Sequence, residues 1–181
     1  MGIRQQIQNI HRLTGASIVY VTHDQSEALA MADRIRIVVM NKGRIEQVGT
    51  PQDIYQKPRT EFVARFVGKA NLVRGEWSGP QFIPDNATGL HWDDTGVANN
   101  LKKKNLYPLR PEQIEFNLEG QGIPGIITSV QYQGKDIHYT VQVDQDTWTV
   151  HTDLLDTHYL GQQVYLQQKV GQRDKRLVSL S

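Results

Sequence analysis

The short apolar run Ser17–Val21 leads straight into Thr22, His23 and Asp24, and His23 is the side chain in this sequence whose type and setting most directly suggest chemistry. An imidazole can donate a hydrogen bond to a phosphate oxygen, and α/β sheets place phosphate-touching groups at a strand's carboxyl end, just ahead of a helix N-terminus. The chain holds no Gly-x-x-x-x-Gly-Lys-Ser/Thr loop to cradle that phosphate, so residue types alone leave His23 as either a phosphate contact or a histidine packed at a strand end. Arg110 poses a similar choice between an anion contact and a buried structural arginine paired with Glu112. His91, His138, His151 and His158 show no ligand spacing, His138 and His151 are expected to face water, and no metal site is expected.

The elements that would position His23 follow from periodicity. Ile3, Ile7, Ile10 and Leu13 recur at helical spacing up to Gly15, which predicts a helix packed on a sheet, and Ile18, Val19 and Val21 predict a strand buried on both faces. Asp24 and Glu27 have capping-box spacing, predicting a helix from about Gln25 to Ala32 that buries Ala28, Leu29 and Met31. Ile35–Met40 and Arg44–Val48, joined by Asn41-Lys42-Gly43, read as a hairpin. Thr50-Pro51 with Asp53 opens a short helix that stops near Pro58, and Thr60-Glu61 opens another with Phe62, Val63, Phe66 and Val67 as an apolar core stripe. Beyond Asn71 the pattern turns to alternation. Ile137, Tyr139, Val141 and Val143 share one face, Trp148 and Val150 repeat it after the Asp144–Asp146 turn, and Ile126–Tyr132 and Val164–Val170 add strands. Such strands predict a small, closed or partly closed barrel, with Gly79–Asn105 as loop or weak strand and Lys102–Lys104 as solvated surface.

Composition bounds the function. At 181 residues and a net charge of +1, neither a polyanion nor an anionic membrane surface is an evident partner. The sequence has no cysteine, which excludes disulfides and thiolate chemistry, and no apolar run of membrane-spanning length.

Several motifs together make a specific pattern: Thr22-His23-Asp24-Gln25 with Glu27-Ala28, then Ala32-Asp33-Arg34-Ile35, then Asn41 through Pro51, Phe62-Val63-Ala64, Phe66-Val67-Gly68 and Ala70-Asn71. This resembles the end of the ATP-binding subunit of ABC transporters. It is closest to the import-type subunits with a C-terminal TOBE domain, similar to maltose, sulfate, polyamine and ferric-iron importer ATPases. The match is dense through residue 72 and looser from residue 106, where it rests on Leu109-Arg110-Pro111-Glu112 and the hairpins. Arg34-Ile35-Arg36-Ile37 departs from the pattern as a doubled Arg-Ile pair, an insertion of two that keeps each side chain on its face.

The resemblance implies an α+β chain: residues 1–71 a remnant of the α/β nucleotide-binding domain, residues 72–181 an all-β, OB-like TOBE barrel with a regulatory and dimerising role. It implies that His23 contacts the γ-phosphate of ATP and helps orient the attacking water in the intact subunit, which uses ATP and magnesium. The phosphate loop, the Gln-containing loop, the signature motif and the aspartate–glutamate pair are expected upstream of Ile3, so this portion alone is expected to need no cofactor and to hydrolyse no ATP. With most neighbouring strands also expected upstream, Ser17–Val21 is expected to leave apolar faces and an unpaired edge and to favour self-association. Expected partners are a second copy of the chain and transmembrane permease subunits, with no nucleic acid, at the cytoplasmic face of the membrane. The competing reading is a stand-alone TOBE-type module for a small oxyanion; an OB-like nucleic-acid binder ranks last, because its aromatics mostly follow inward parity and the charge is balanced.

Overall fold

A computed structural model describes residues 3–30, 36–87 and 89–169. Helix α1 (Ile3–Thr14) ends as its sequence predicts, with Gly15 at φ 63° and its N–H donating to the His11 carbonyl at 2.9 Å. It is not packed on a sheet, however: Ile10 and Leu13 are exposed. The predicted strand Ser17–Val21 does not form either. The segment has no regular structure and no strand partner among the described residues, and Ile18, Val19 and Val21 lie open to solvent. A strand needs a neighbour to satisfy its backbone, and the described residues offer this one none. Helix α2 (Gln25–Ala30) follows; Met31, Ala32 and the Arg34-Ile35 pair lie outside the described residues.

Strands β1 (Ile37–Asn41) and β2 (Arg44–Gly49) form the expected hairpin, closed by Lys42 and Gly43, both at positive φ. The register slips between Val39 and Met40, so Val38↔Val48 and Met40↔Ile45 pair. All four of these side chains are exposed. The other side of the hairpin packs on helices α3 (Pro51–Gln56) and α4 (Glu61–Phe66), where Val39, Ile54, Val63 and Val67 form a small core joined by Leu29 of α2. Thr50 and Asp53 make a full capping box on α3, Thr50 Oγ1 accepting from the Asp53 amide at 3.1 Å while Asp53 accepts from the Thr50 amide at 3.1 Å. Buried Gln47 ties β2 to the α3–α4 connection, donating to the Lys57 carbonyl at 3.0 Å and accepting from the Arg59 amide at 2.8 Å.

From Asn71 the chain is mostly strand. Strands β3 (Asn71–Ser78), β4 (Gln81–Pro84), β5 (Trp92–Asp93) and β6 (Leu106–Leu109) make one antiparallel sheet in the order β5-β4-β3-β6. Strands β7 (Ile114–Asn117), β8 (Ile123–Tyr132), β9 (Asp136–Val143), β10 (Asp146–Asp153) and β11 (Gln163–Gln168) make another, in the order β10-β9-β8-β11-β7. One apolar core runs between them, from Val73, Phe82, Trp92 and Tyr107 to Ile127, Tyr139, Val141 and Trp148, as an OB-like barrel requires. The region 79–105 is more structured than its Gly/Pro-rich composition suggests. It delivers Phe82, Trp92 and, from the short helix α5 (Asn99–Lys102), Leu101 to the interior. Lys102 is accordingly not a solvated residue: its ammonium pairs with Asp94 and lies 4.9 Å from the centre of the Trp77 ring.

Two buried polar side chains make long-range ties to the backbone, one from the start of β3 to β10 and one from the barrel to the helical segment. Asn71 is buried, and its carboxamide donates to the Thr149 carbonyl and accepts from the Thr149 amide, each at 2.8 Å. It thereby occupies the outward-facing backbone groups of β10, an edge strand of its sheet. The second is Arg110.

Candidate functional site

Asp24 Oδ1 accepts from the Glu27 amide at 3.0 Å, the forward half of the expected capping box. The return half is routed differently. Thr22 Oγ1 accepts from the Asp24 amide at 3.0 Å and donates to Glu27 Oε2 at 2.8 Å, so Thr22 rather than Glu27 serves the cap residue. This network fixes the residues on either side of His23 while the histidine itself stands exposed at a bend, its ring without a hydrogen-bond partner among the described residues. A free imidazole on a pinned turn suits a contact to a phosphate oxygen.

The structure decides the choice left open at Arg110. The side chain is buried and its donors go to backbone carbonyls: Nε to Tyr55 O at 3.0 Å, Nη1 to Ala64 O at 3.0 Å, with further bonds from Nη1 to Val67 O and Nη2 to Tyr55 O. These carbonyls belong to the C-terminal ends of α3 and α4, where a cation also meets the negative end of each helix dipole. The guanidinium lies over the Tyr55 ring at 4.2 Å. Arg110 is therefore structural, and its partner is not Glu112; that carboxylate accepts from the Tyr55 hydroxyl at 2.6 Å. Burial, then the Glu112 hydrogen bond, push the Tyr55 hydroxyl up to about 12, so it remains a donor. Burial also lowers the Arg110 pKa, opposed by Tyr55 and Glu112, and a guanidinium stays charged through such a shift. Gly68 is needed at this junction, because at its φ of 72° a Cβ would come within 2.3 Å of the Tyr55 ring.

The remaining histidines separate. His91 is exposed, and His158 is a packing residue, edge-on to Phe116 with ring centres 4.5 Å apart and its Nε2 2.8 Å from Asp156. His138 and His151 do not simply face water: their rings stack with centres 3.6 Å apart, and Asp136 lies beside them. Sequence reasoning missed this pairing although the register was readable. Counting back from the loop Asp144-Gln145 sets His138 opposite His151. A cavity of about 320 Å³ lies elsewhere, between the end of α4 and β10, with Arg65, Lys69, Asp146 and Thr149 in its wall. No described helix is long and apolar enough to cross a membrane.

Comparison with known proteins accords with this architecture. Residues 108–169 match the TOBE domain family. The spermidine/putrescine import ATP-binding protein PotA of Borrelia garinii subsp. bavariensis is 36% identical over 154 residues, 84% of this chain and 43% of its own length. PotA of Thermobifida fusca is 40% identical over 156 residues, covering 78% of this chain and 38% of that protein. PotA of a Nostoc species is 40% identical over 152 residues, 76% and 39% respectively. The chain thus spans less than half the length of these relatives. With its dense His23-to-Asn71 motif, its TOBE match and this level of identity, the chain belongs to the ATP-binding subunits of ABC importers and corresponds to their C-terminal part.

Proposed function

We propose that this chain serves as the C-terminal part of the ATP-hydrolysing subunit of an ABC importer. In this reading residues 1–71 complete a nucleotide-binding domain, residues 72–181 form a TOBE barrel that regulates and pairs subunits, and His23 is the γ-phosphate contact. The observation that carries it is the His23 turn: Thr22 and Asp24 are consumed in capping α2, and the imidazole between them is left free for something outside the described residues. A second observation supports it. Ile18, Val19, Val21, Val38, Met40, Ile45 and Val48 are exposed, an apolar surface of the kind that a larger domain covers.

Bound ATP and Mg²⁺ would supply the phosphoryl group and the charge neutralisation that phosphoryl transfer needs. The contribution of this chain is positional: the Thr22–Asp24–Glu27 network holds the turn, and the His23 ring donates to a terminal phosphate oxygen and orients water beside it. The relatives are named for spermidine and putrescine import, which favours a polyamine as the imported solute, and the proposed partners are permease subunits and a second ATPase copy at the cytoplasmic face of the membrane. This chain alone should show no Mg-ATP turnover above background. In the intact subunit, His23→Ala should abolish hydrolysis while nucleotide binding persists; retained turnover would remove His23 from the mechanism.

The alternative, an oxyanion module, finds its best location in the cavity that Arg65 and Lys69 border. A thermal-shift screen of sulfate, phosphate and molybdate tests it, since a ligand bound only by the folded state must raise the melting temperature.

A further inference from the structure

We propose that Asp136, His138 and His151 form a binding site for a transition-metal dication of the zinc class on the β9–β10 hairpin. One potential ligand atom from each side chain lies within 4.8 Å of the others, and His138 Nε2 is already 3.1 Å from Asp136 Oδ2. Ligands about 2.0–2.1 Å from a tetrahedral zinc stand roughly 3.4 Å from one another, and each imidazole must hold the ion in its own plane, so metal binding opens the parallel His138–His151 stack as the side chains turn onto the ion.

The backbone makes this pairing rigid. His138 and His151 are direct cross-strand partners, and Asp136 is two residues from His138 on the same face of β9. The amide and carbonyl of Thr149 both point away from β9, to Asn71, so Thr149↔Thr140 is a non-hydrogen-bonded pair. By the two-residue repeat His151↔His138 is one also, the kind that brings facing side chains closest. Beneath them Ile137, Tyr139 and Val150 are fully buried, which holds the two strands in register.

The chemistry suits the same class of ion. Two imidazoles and one carboxylate select zinc, nickel or copper over calcium or magnesium, and leave a position for water. The rings are half-buried, and burial, reinforced by the charge of His138, lowers the His151 pKa and so favours its neutral, ligating form. Glu112 and Asp136 act on His151 in the opposite direction, while Lys69 acts with burial. The site is separate from the His23 turn, and nothing in the importer reading requires it.

The test is a competition titration of the untagged, chelator-stripped chain with Zn²⁺ against a chromophoric zinc chelator at pH 7.5. The expected result is one equivalent bound at micromolar affinity or better. His138→Ala and His151→Ala should each weaken binding at least about tenfold, whereas His91→Ala should leave it unchanged. Circular dichroism establishes that each variant is folded. Histidine NMR signals provide a second readout: zinc should shift His138 and His151 before His11, His23 or His91. Binding retained in both cluster variants, no stoichiometric binding by the wild-type chain, or first shifts at another histidine would each overturn the assignment.

Discussion

Replacing Arg110 by alanine should cost the chain about 3–5 kcal/mol of unfolding free energy. The guanidinium serves three backbone acceptors, the carbonyls of Tyr55, Ala64 and Val67, in a buried setting. Each hydrogen bond from a charged donor contributes roughly 1.5–3 kcal/mol, and the stacking on Tyr55 adds about 1 kcal/mol. Water entering the vacated space re-solvates part of what is exposed, which brings the sum down to the quoted range. Against a typical total of about 5–15 kcal/mol, the loss is large enough to read from urea denaturation followed by circular dichroism. Arg110→Lys should recover no more than about half of it, because one ammonium cannot reproduce the planar fork that spans two helix ends. Hydrogen exchange locates the effect: amides of α3 and α4 should lose protection before those of β8 and β9. A change below about 1 kcal/mol in Arg110→Ala, or equal loss of protection throughout the barrel with α3 and α4 unaffected, would refute the account of Arg110 as a double helix cap.

Asn71→Ala should destabilise by about 1–3 kcal/mol in the same assay, and Asn71→Asp by more, because a carboxylate cannot donate to the Thr149 carbonyl. Gly75→Ala should cost about 3 kcal/mol, since its Cβ would stand 2.1 Å from the Ile83 carbonyl oxygen and force β3 from β4; Gly79→Ala, strained at φ 60° but in open space, should cost about 1 kcal/mol. Acid should weaken the fold through Asp94 and Asp53. Burial pushes the Asp94 carboxyl up, but Lys102 and the Val97 and Gly96 amides outweigh it, while hydrogen bonds from Thr50 lower Asp53. As pH falls the unfolded chain takes up these protons first, so the stabilisation is complete above the ordinary value of 3.8 and is lost as pH drops through the lower folded values. Asp94→Asn should flatten the fall of the melting temperature as pH drops below the ordinary carboxyl value of 3.8; an unchanged slope would contradict the assignment.

Elements with local signals were legible in the sequence. The Thr50–Asp53 box, the β1–β2 turn and the inward parity of Ile137, Tyr139, Val141, Trp148 and Val150 are set by residues close in the chain, and the structure has them as expected. The failures share a different cause. Ile18, Val19 and Val21 carry the pattern of a buried strand; their exposure and lack of pairing follow from the absence of a surrounding sheet among the described residues, as expected, but the strand itself does not form because burial and pairing are properties of neighbours. Arg110 was ambiguous because its acceptors are main-chain carbonyls, which have no residue identity to read. Lys102 looked like surface because charge runs usually are; the aromatic ring and the carboxylate that hold it come from β3 and the loop after β5. For the site, the motif around His23 could be read directly, whereas the His138–His151 contact required the hairpin register as well as the residue types.

Asn71 has a mechanical consequence. It sits where the helical segment hands over to the sheets and grips Thr149 at both polar groups, while Arg110 reaches back from the barrel to the ends of α3 and α4. Of the two, Arg110 crosses between the parts, while Asn71 clamps the strand that leaves the helices to the edge of the second sheet, so the chain enters the barrel through a fixed strand and not a loose tether. A displacement of the helices would reach the barrel through Arg110 and through β3.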